Sequence, residues 1–333
     1  MYKRQVAPST GYSAANVNGI TTRKQGFELS LTGSPLKSEK GLNWDVTFNY
    51  STFKERLKAI YGNETGLTIN NHTYQVGDRM DALYGTGFVN DANGNIIHSA
   101  GLPLLAPSDI GNQKFLGFLN PDYTFGVNNK FGYKNFTFSF QFDGRIGGKI
   151  WDEVYKDGMN GGTSIESASG AFGAARLAEW QTTNSGSVAP TAKYIANGVK
   201  IVSGTPTFAN GQITNLSALT LAPNDVASTV QNYITGRLTS ITEYWMVDRS
   251  FVKLREVSLG YNLPAKYLAK NKIFKAASFT LVGRNLLYFA NRKDIDLDQF
   301  PAGYNDSDRS LNNGGVLQSP TGRRFGFNIN LSF

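Results

Sequence analysis

The chain has 333 residues, with 22 Phe, 16 Tyr and no Cys. The missing Cys excludes a disulfide framework, a thiolate metal site and a thiol nucleophile. The formal charge of +8 is spread along the chain, so no basic run with interleaved aromatics offers a footprint for nucleic acid.

Residues 1–6 read as the end of a strand, and the "MYKRQVAPSTGYS" around them has no apolar core of a secretory signal. Period-two alternation then begins. At 23–33, Phe27, Leu29 and Leu31 share a face against Gly26, Glu28, Ser30 and Thr32. At 42–60, Trp44, Val46, Phe48 and Tyr50 oppose Asn43, Asp45, Thr47, Asn49 and Ser51. The long connection 61–121 holds both histidines, His72 and His98, without Cys or a second His at ligand spacing. That favours surface-loop roles over a metal site. Asp78 and Asp81 are paired acids of a common loop type. "NDANGNI" imitates a calcium loop, but Asn93-Gly94 between "TGFV" and "IIHS" predicts a hairpin turn.

Alternation returns at 122–132, where Tyr123, Phe125, Val127, Phe131 and nearby Tyr133 share a face broken only by Asn129. At 135–147, Phe136, Phe138, Phe140 and Phe142 oppose Thr137, Ser139, Gln141 and Asp143. Segment 148–243 is irregular, with a short helix expected at 175–180. Trp151, Tyr155, Trp180, Tyr194 and Tyr233 are spaced through it. These rings are candidates for stacking on substrate or for packing against a lid protein; the alternative is that they anchor the loop on itself. At 244–263, Val257, Leu259, Tyr261 and Leu263 alternate; at 275–289 the pattern loosens around Gly283 and Asn285. Asp294, Asp296 and Asp298 take alternate places, either as oxygens for Ca²⁺ or as a solvated acidic turn. The latter is favoured, because no Gly or closing Glu completes a calcium loop. The strand 322–333 ends the chain on Phe325, Phe327, Ile329, Leu331 and Phe333, alternating with polar residues.

An antiparallel sandwich with one face in a core is the simplest alternative. Two features favour a transmembrane β-barrel. The apolar faces are strongly aromatic and, in the cleanest strands, carry no charge, while the opposite faces carry acids, amides and hydroxyls suited to a wet lumen. Connections also alternate in length. Those at 33–41, 132–135 and 264–272 are short, and those at 61–121, 148–243 and 290–321 are long, as in barrels with short periplasmic turns and long outer loops. Counting back from a periplasmic Phe333 puts every short turn on one side. It gives about eight strands, each crossing with roughly 9–11 residues.

Four stretches resemble one family. They are "NVNGITTRKQGFELSL" (16–31), "LNPDYTFGVNNKFGYKNFTFSFQFDGRIGG" (119–148), "WMVDRSFVKLREVSLGYNLP" (245–264) and "FTLVGRNLLYF" (279–289). Together, and in this order, they resemble the late barrel of the SusC/RagA family of TonB-linked outer-membrane transporters. The resemblance implies an all-β antiparallel transmembrane barrel of about 22 strands, of which this chain supplies the C-terminal part, with long extracellular loops. It implies a SusD-like surface lipoprotein as lid and TonB as the motor, engaged through an N-terminal plug. Plug, TonB box and signal peptide have no counterpart in these residues, so the expectation for 1–333 is the C-terminal barrel portion alone. Further partners implied are the lipid bilayer, the outer-membrane assembly machinery reading the Phe-terminated strand, and a glycan or peptide substrate. Thr137, Ser139, Gln141, Asn328 and Asn330 would line the lumen. No cofactor, metal, catalytic residue or nucleic acid is expected.

The competing functions are a self-contained small barrel, acting as adhesin or pore, and a soluble carbohydrate-binding or hydrolytic β-sandwich.

Overall fold

The computed structural model describes all residues except 1, 6–7, 13, 18, 63, 70, 270–272, 300–302, 305–310 and 313–320. One antiparallel sheet dominates. Its strands are β1 (Ile20–Leu36), β2 (Leu42–Ile60), β3 (Tyr123–Tyr133), β4 (Phe136–Ile146), β5 (Phe251–Asn262), β6 (Ala276–Ala290) and β7 (Arg324–Ser332). They pair strictly in chain order, from β1 at one edge to β7 at the other. An antiparallel meander puts alternate connections at opposite ends. The short ones after β1, β3 and β5 therefore share one end, and the long ones after β2, β4 and β6 share the other. The β3–β4 turn is the tightest: Tyr133 pairs with Phe136, and Lys134 takes a left-handed φ of 54°, which primed two-residue turns need at their first position.

The register sorts the side chains. Directly paired residues share a face, so Leu29, Tyr50, Phe125 and Gly144 form one row and Phe48, Val127, Phe142 and Leu254 another. The row through Leu259, Leu281 and Phe327 continues that face to β7. The opposite face carries rows such as Ser30, Asn49 and Gly126, then Ser139, Ser258 and Val282. One face is therefore aromatic and aliphatic throughout, and the other is mainly polar. The apolar face is largely uncovered: Phe27, Leu31, Phe136, Leu281 and Phe327 are 51–72% exposed, while Trp44, Phe48, Tyr50, Phe131, Phe140 and Phe142 between them are half-buried against one another.

Alternation survives an irregularity in β5. Gln141 pairs with Glu256 but its neighbour Phe142 pairs with Leu254, so Arg255 is one residue too many. Such a bulge shifts side-chain parity by one place. Val252 and Leu254, at even positions, thus join Val257, Leu259 and Tyr261, at odd ones, on the same face.

The expected outermost strand at 1–6 takes a different partner. Tyr2–Gln5 pairs with Ala14–Val17 in a ladder of its own. The main sheet therefore has seven strands among the described residues, and β1 and β7 do not pair with each other.

The two longer connections between β2 and β5 build a second layer with its own core. It contains α1 (Glu153–Asn160), α2 (Gly170–Gln181) and α3 (Val230–Thr235). The helix expected at 175–180 is the second half of α2. Asp152 caps α1, accepting from the Tyr155 N–H at 3.0 Å. Met159, Val230, Ile234, Ile241 and Trp245 are all under 4% exposed and pack together. This corrects the expectation of a mainly irregular 148–243.

Candidate functional site: the polar face and its loop body

Cross-strand hydrogen bonds organise the polar face. Ser30 donates to Asn49 at 2.8 Å, Ser34 to Asp45 at 2.6 Å, and the Ser139 and Ser258 hydroxyls meet at 2.6 Å. Thr137, Ser139 and Gln141 lie on this face of β4, and Asn328 and Asn330 on this face of β7, opposite Thr280 and Ser278. All the residues expected to line a lumen therefore share one surface.

The long-loop end of this face is charged. Asp143 on β4 receives both Nε and Nη2 of Arg255, the extra residue of the bulge. Arg255 also donates to Asp298 at 2.6 Å. Lys253, only 2% exposed, binds Asp296 at 2.5 Å. Its ammonium also lies 5.1 Å from the Tyr288 ring. Leu297 is fully buried, and its N–H donates to the Tyr288 hydroxyl at 2.9 Å. Segment 291–299 is thus clamped onto the sheet by alternating charges. Burial raises the Asp298 pKa, but the hydrogen bond and charge of Arg255, with the Lys253 charge, more than offset this and hold it below the ordinary carboxylate value.

This answers the question about the three alternating acids. Asp296 and Asp298 are neutralised by Lys253 and Arg255, and Asp294 pairs with Arg292 at 2.5 Å. Asp296 and Asp298 are thus ion-paired to the sheet, whereas Asp294, 60% exposed, pairs within its own segment. Among the described residues, no cluster of three or more His, Cys, Asp or Glu is placed to hold a metal. Charge neutralisation across the sheet was not legible in the sequence, because it depends on the parity shift at Arg255.

Four of the five candidate rings turn inward. Tyr233 is 6% exposed and meets Tyr194 edge-on at 4.8 Å, while Tyr155 meets Trp245 at 5.6 Å. Trp151 packs on the same core. Trp180 differs, being 59% exposed. It borders a cleft of about 580 Å³ with Arg176, Thr183 and Gln231. The Glu179 carboxylate beside it is committed to structure, accepting from the Val230 N–H at 3.0 Å at the start of α3.

The histidines are packed too. His98 is fully buried with Nδ1 3.1 Å from the Ile96 carbonyl, and burial lowers its pKa. His72 stacks on Tyr84. Asp81 is held by Arg79 at 2.7 Å. Asn93-Gly94 occupies a turn as expected. Asp91 accepts from the N–H groups of Asn93 and Asn95, and Asn90 bridges to Ile96.

The comparisons with known proteins agree with this architecture. No family model matches the chain. TonB-dependent receptor P3 of Formosa agariphila is 22% identical over 361 aligned positions, which take in 100% of this chain and 31% of that protein. TonB-dependent receptor P26 of the same organism is 23% identical over 336 positions, covering 90% of this chain and 29% of that protein. The chain is a homologue of TonB-dependent receptors. It spans about a third of the length of the curated relatives it matches. Among solved structures, the RagAB peptide importer in its closed-closed state superposes with TM-score 0.57 at 16% identity, over 99% of this chain and 32% of that one. The open-open state gives 0.59 at 13% identity, over 99% and 31%. At these identities the likeness is one of fold. It extends over 99% of the chain, sheet and loop body together.

Among the described residues no helix is long and apolar enough to cross a membrane.

Proposed function

We propose that this chain forms barrel wall, lumen lining and extracellular loops in an outer-membrane importer of the SusC/RagA type. The observation that carries the proposal is the division of the sheet. From β1 to β7 the register collects the large apolar side chains on one face, which is exposed, and polar groups on the other. Water gives such a face no stable home, whereas lipid does. An open arc also leaves β1 and β7 each with an unpaired edge, which lipid does not tolerate. Both edges therefore continue into further strands, making this chain a sector of a barrel of about 22 strands. The same open arc speaks against a self-contained small barrel, and the uncovered aromatic face against a soluble sandwich.

In this reading the long-loop end faces outward and the short turns face the periplasm. Substrate, either an oligosaccharide or a peptide, passes along the polar face. TonB acts through the plug, outside this chain, and a SusD-like lipoprotein covers the loop body as lid. The fold shared with a peptide importer favours testing peptides first. The test is growth of the parent strain, with and without the gene encoding this chain, on peptide mixtures or on oligosaccharides as sole nutrient. Membrane fractionation accompanies it. A chain released by carbonate without detergent would overturn the barrel. An unchanged growth range on both nutrient classes would overturn import.

A further inference from the structure

We infer that the outward face of β1 and β2, just beyond the aromatic zone, binds the phosphate groups of a phosphorylated glycolipid in the outer leaflet. The inference rests on the membrane orientation proposed above. Its basis is a row of arginines set by register. Arg23 on β1 pairs directly with Arg56 on β2. On the other side of β2, where β3 has already ended, segment 77–80 takes the place of a strand. The Leu57 N–H donates to the Asp78 carbonyl at 3.0 Å, the Met80 N–H donates to the Glu55 carbonyl at 3.0 Å, and Arg56 bridges to Arg79. Cross-strand partners share a face, so the Arg23 and Arg56 side chains stand side by side and exposed, with Arg79 next in the row but buried, its guanidinium held by Asp81 and stacked over Phe118. Lys54, opposite Gln25, belongs to the same face one row nearer the membrane.

That face is the lipid-facing one. Register runs without a shift from Arg23 and Arg56 to Leu29 and Tyr50, and to Leu31 and Phe48. Phe27, Tyr50 and Tyr123 form a ring cluster, with Tyr50 and Tyr123 stacked at 5.5 Å and Phe27 at 6.4 Å from Tyr50. Such aromatics mark the membrane interface. Arg23 lies four residues further out, ~13 Å along a strand and less once the strand tilts. This is the depth of headgroup phosphate.

Like charges placed directly opposite on a sheet are unfavourable, so the row needs anions. The chain supplies few. Arg79 is paired with Asp81, and Asp78 stands near Arg56. Arg56 spends one nitrogen on the Gly77 carbonyl at 2.7 Å. Among the described residues, Arg23 and Lys54 have no carboxylate partner within salt-bridge distance. Beside the row lies a cleft of about 340 Å³ lined by Arg56, Arg79, Tyr84, Phe115 and Phe118, with one carboxylate, Asp78, at its wall. Its combination of guanidinium and aromatic surface suits a phosphosugar carrying apolar chains. Arginine's fork matches phosphate in a bidentate manner.

The test uses the detergent-purified protein containing this chain, with retained lipid measured by native mass spectrometry. Probes are lipid A bearing both phosphates, the same lipid dephosphorylated, and inorganic phosphate. Arg23→Gln/Arg56→Gln should reduce retention of the phosphorylated lipid by about tenfold. Lys24→Gln, at the same height on the opposite face, should leave it unchanged. Equal retention by the double variant and wild type overturns the site, as does equal binding of the dephosphorylated lipid. Displacement of the lipid by millimolar inorganic phosphate would reassign it to a free anion. Heat-modifiability on gels, read on the same samples, reports the barrel. An intact barrel with unchanged lipid retention removes only this inference, whereas loss of the barrel signature in wild type removes the reading beneath it.

Discussion

The Trp44 indole N–H donates to the Asn129 Oδ1 at 3.0 Å across the β2–β3 pair, with the Trp44 ring stacked 5.7 Å from Phe131. Asn129 is the one polar interruption on the apolar face of β3, and it is 7% exposed. The indole both covers the amide and satisfies it. Trp44→Phe keeps the cover and removes the donor, so it should destabilise the sheet by about 1–3 kcal/mol. Trp44→Phe/Asn129→Leu should recover most of that loss. Thermal unfolding in detergent checks both variants, and equal midpoints for wild type and Trp44→Phe would show that the bond contributes nothing.

The clamp on segment 291–299 should ignore chelators and respond to acid. Asp298 has a folded pKa below its unfolded value of about 3.9. Its contribution is therefore fully present above that value and is lost as pH falls through the lower, folded value. Limited proteolysis of the segment should stay slow from neutral pH down to about pH 4 and accelerate below it. Added EDTA should leave the rate unchanged at neutral pH. Rapid cleavage at pH 6, or on chelation, would mean that something other than these ion pairs holds the segment.

Trp180 and Tyr233 should separate binding from packing. Trp180 is exposed beside a cleft, so Trp180→Ala is expected to weaken substrate binding while assembly and loop protection are retained. Tyr233 is in the loop core, and Tyr233→Ala should cost about 3–5 kcal/mol and open the loop body to protease. Calorimetric binding of the transported substrate, paired with a protease time course, distinguishes the two. A Trp180→Ala variant with full affinity would leave that ring without a ligand role.

The Phe333 ring sits 5.2 Å from Phe274 and is 69% exposed, at the short-turn end. It contributes little to packing, so Phe333→Ala should scarcely change unfolding once the protein is assembled. If Phe325, Phe327, Ile329, Leu331 and Phe333 act as the assembly signal, the same variant should lower the amount inserted in the outer membrane several-fold. Quantitative immunoblotting of membrane fractions reads this directly, and wild-type levels would remove the signal role.

Most of the sheet could be read from the chain, because its strands obey a two-residue rule, apolar on one face and polar on the other. Strands β2, β3 and β4 fall within a residue of their expected limits. What escaped the reading depends on distant partners. In β5 alternation was read only from Val257 onward, because Arg255 displaces the residues before it by one place. The loop body looked structureless because its core joins Met159, Tyr233 and Trp245 from separate short segments. No window of sequence displays that periodicity. The acids at 294–298 were visible as a group, but the cations of Asp296 and Asp298 lie on β5, so their neutralisation was invisible. The arginine row had the same obstacle, since Arg23, Arg56 and Arg79 become neighbours only through pairing.

The extra residue at Arg255 also bears on how this wall can vary. Adding or losing one residue in a spanning strand ordinarily throws everything beyond it out of phase, turning oily groups toward water and wet ones toward oil. Here the slip is absorbed at a single position, and the displaced guanidinium is used to fasten Asp143 to Asp298. A relative lacking the insertion would need the opposite lettering on only one side of that point, and would lose the fastening with it. The length of this strand and the anchoring of the segment above it are therefore a single heritable trait.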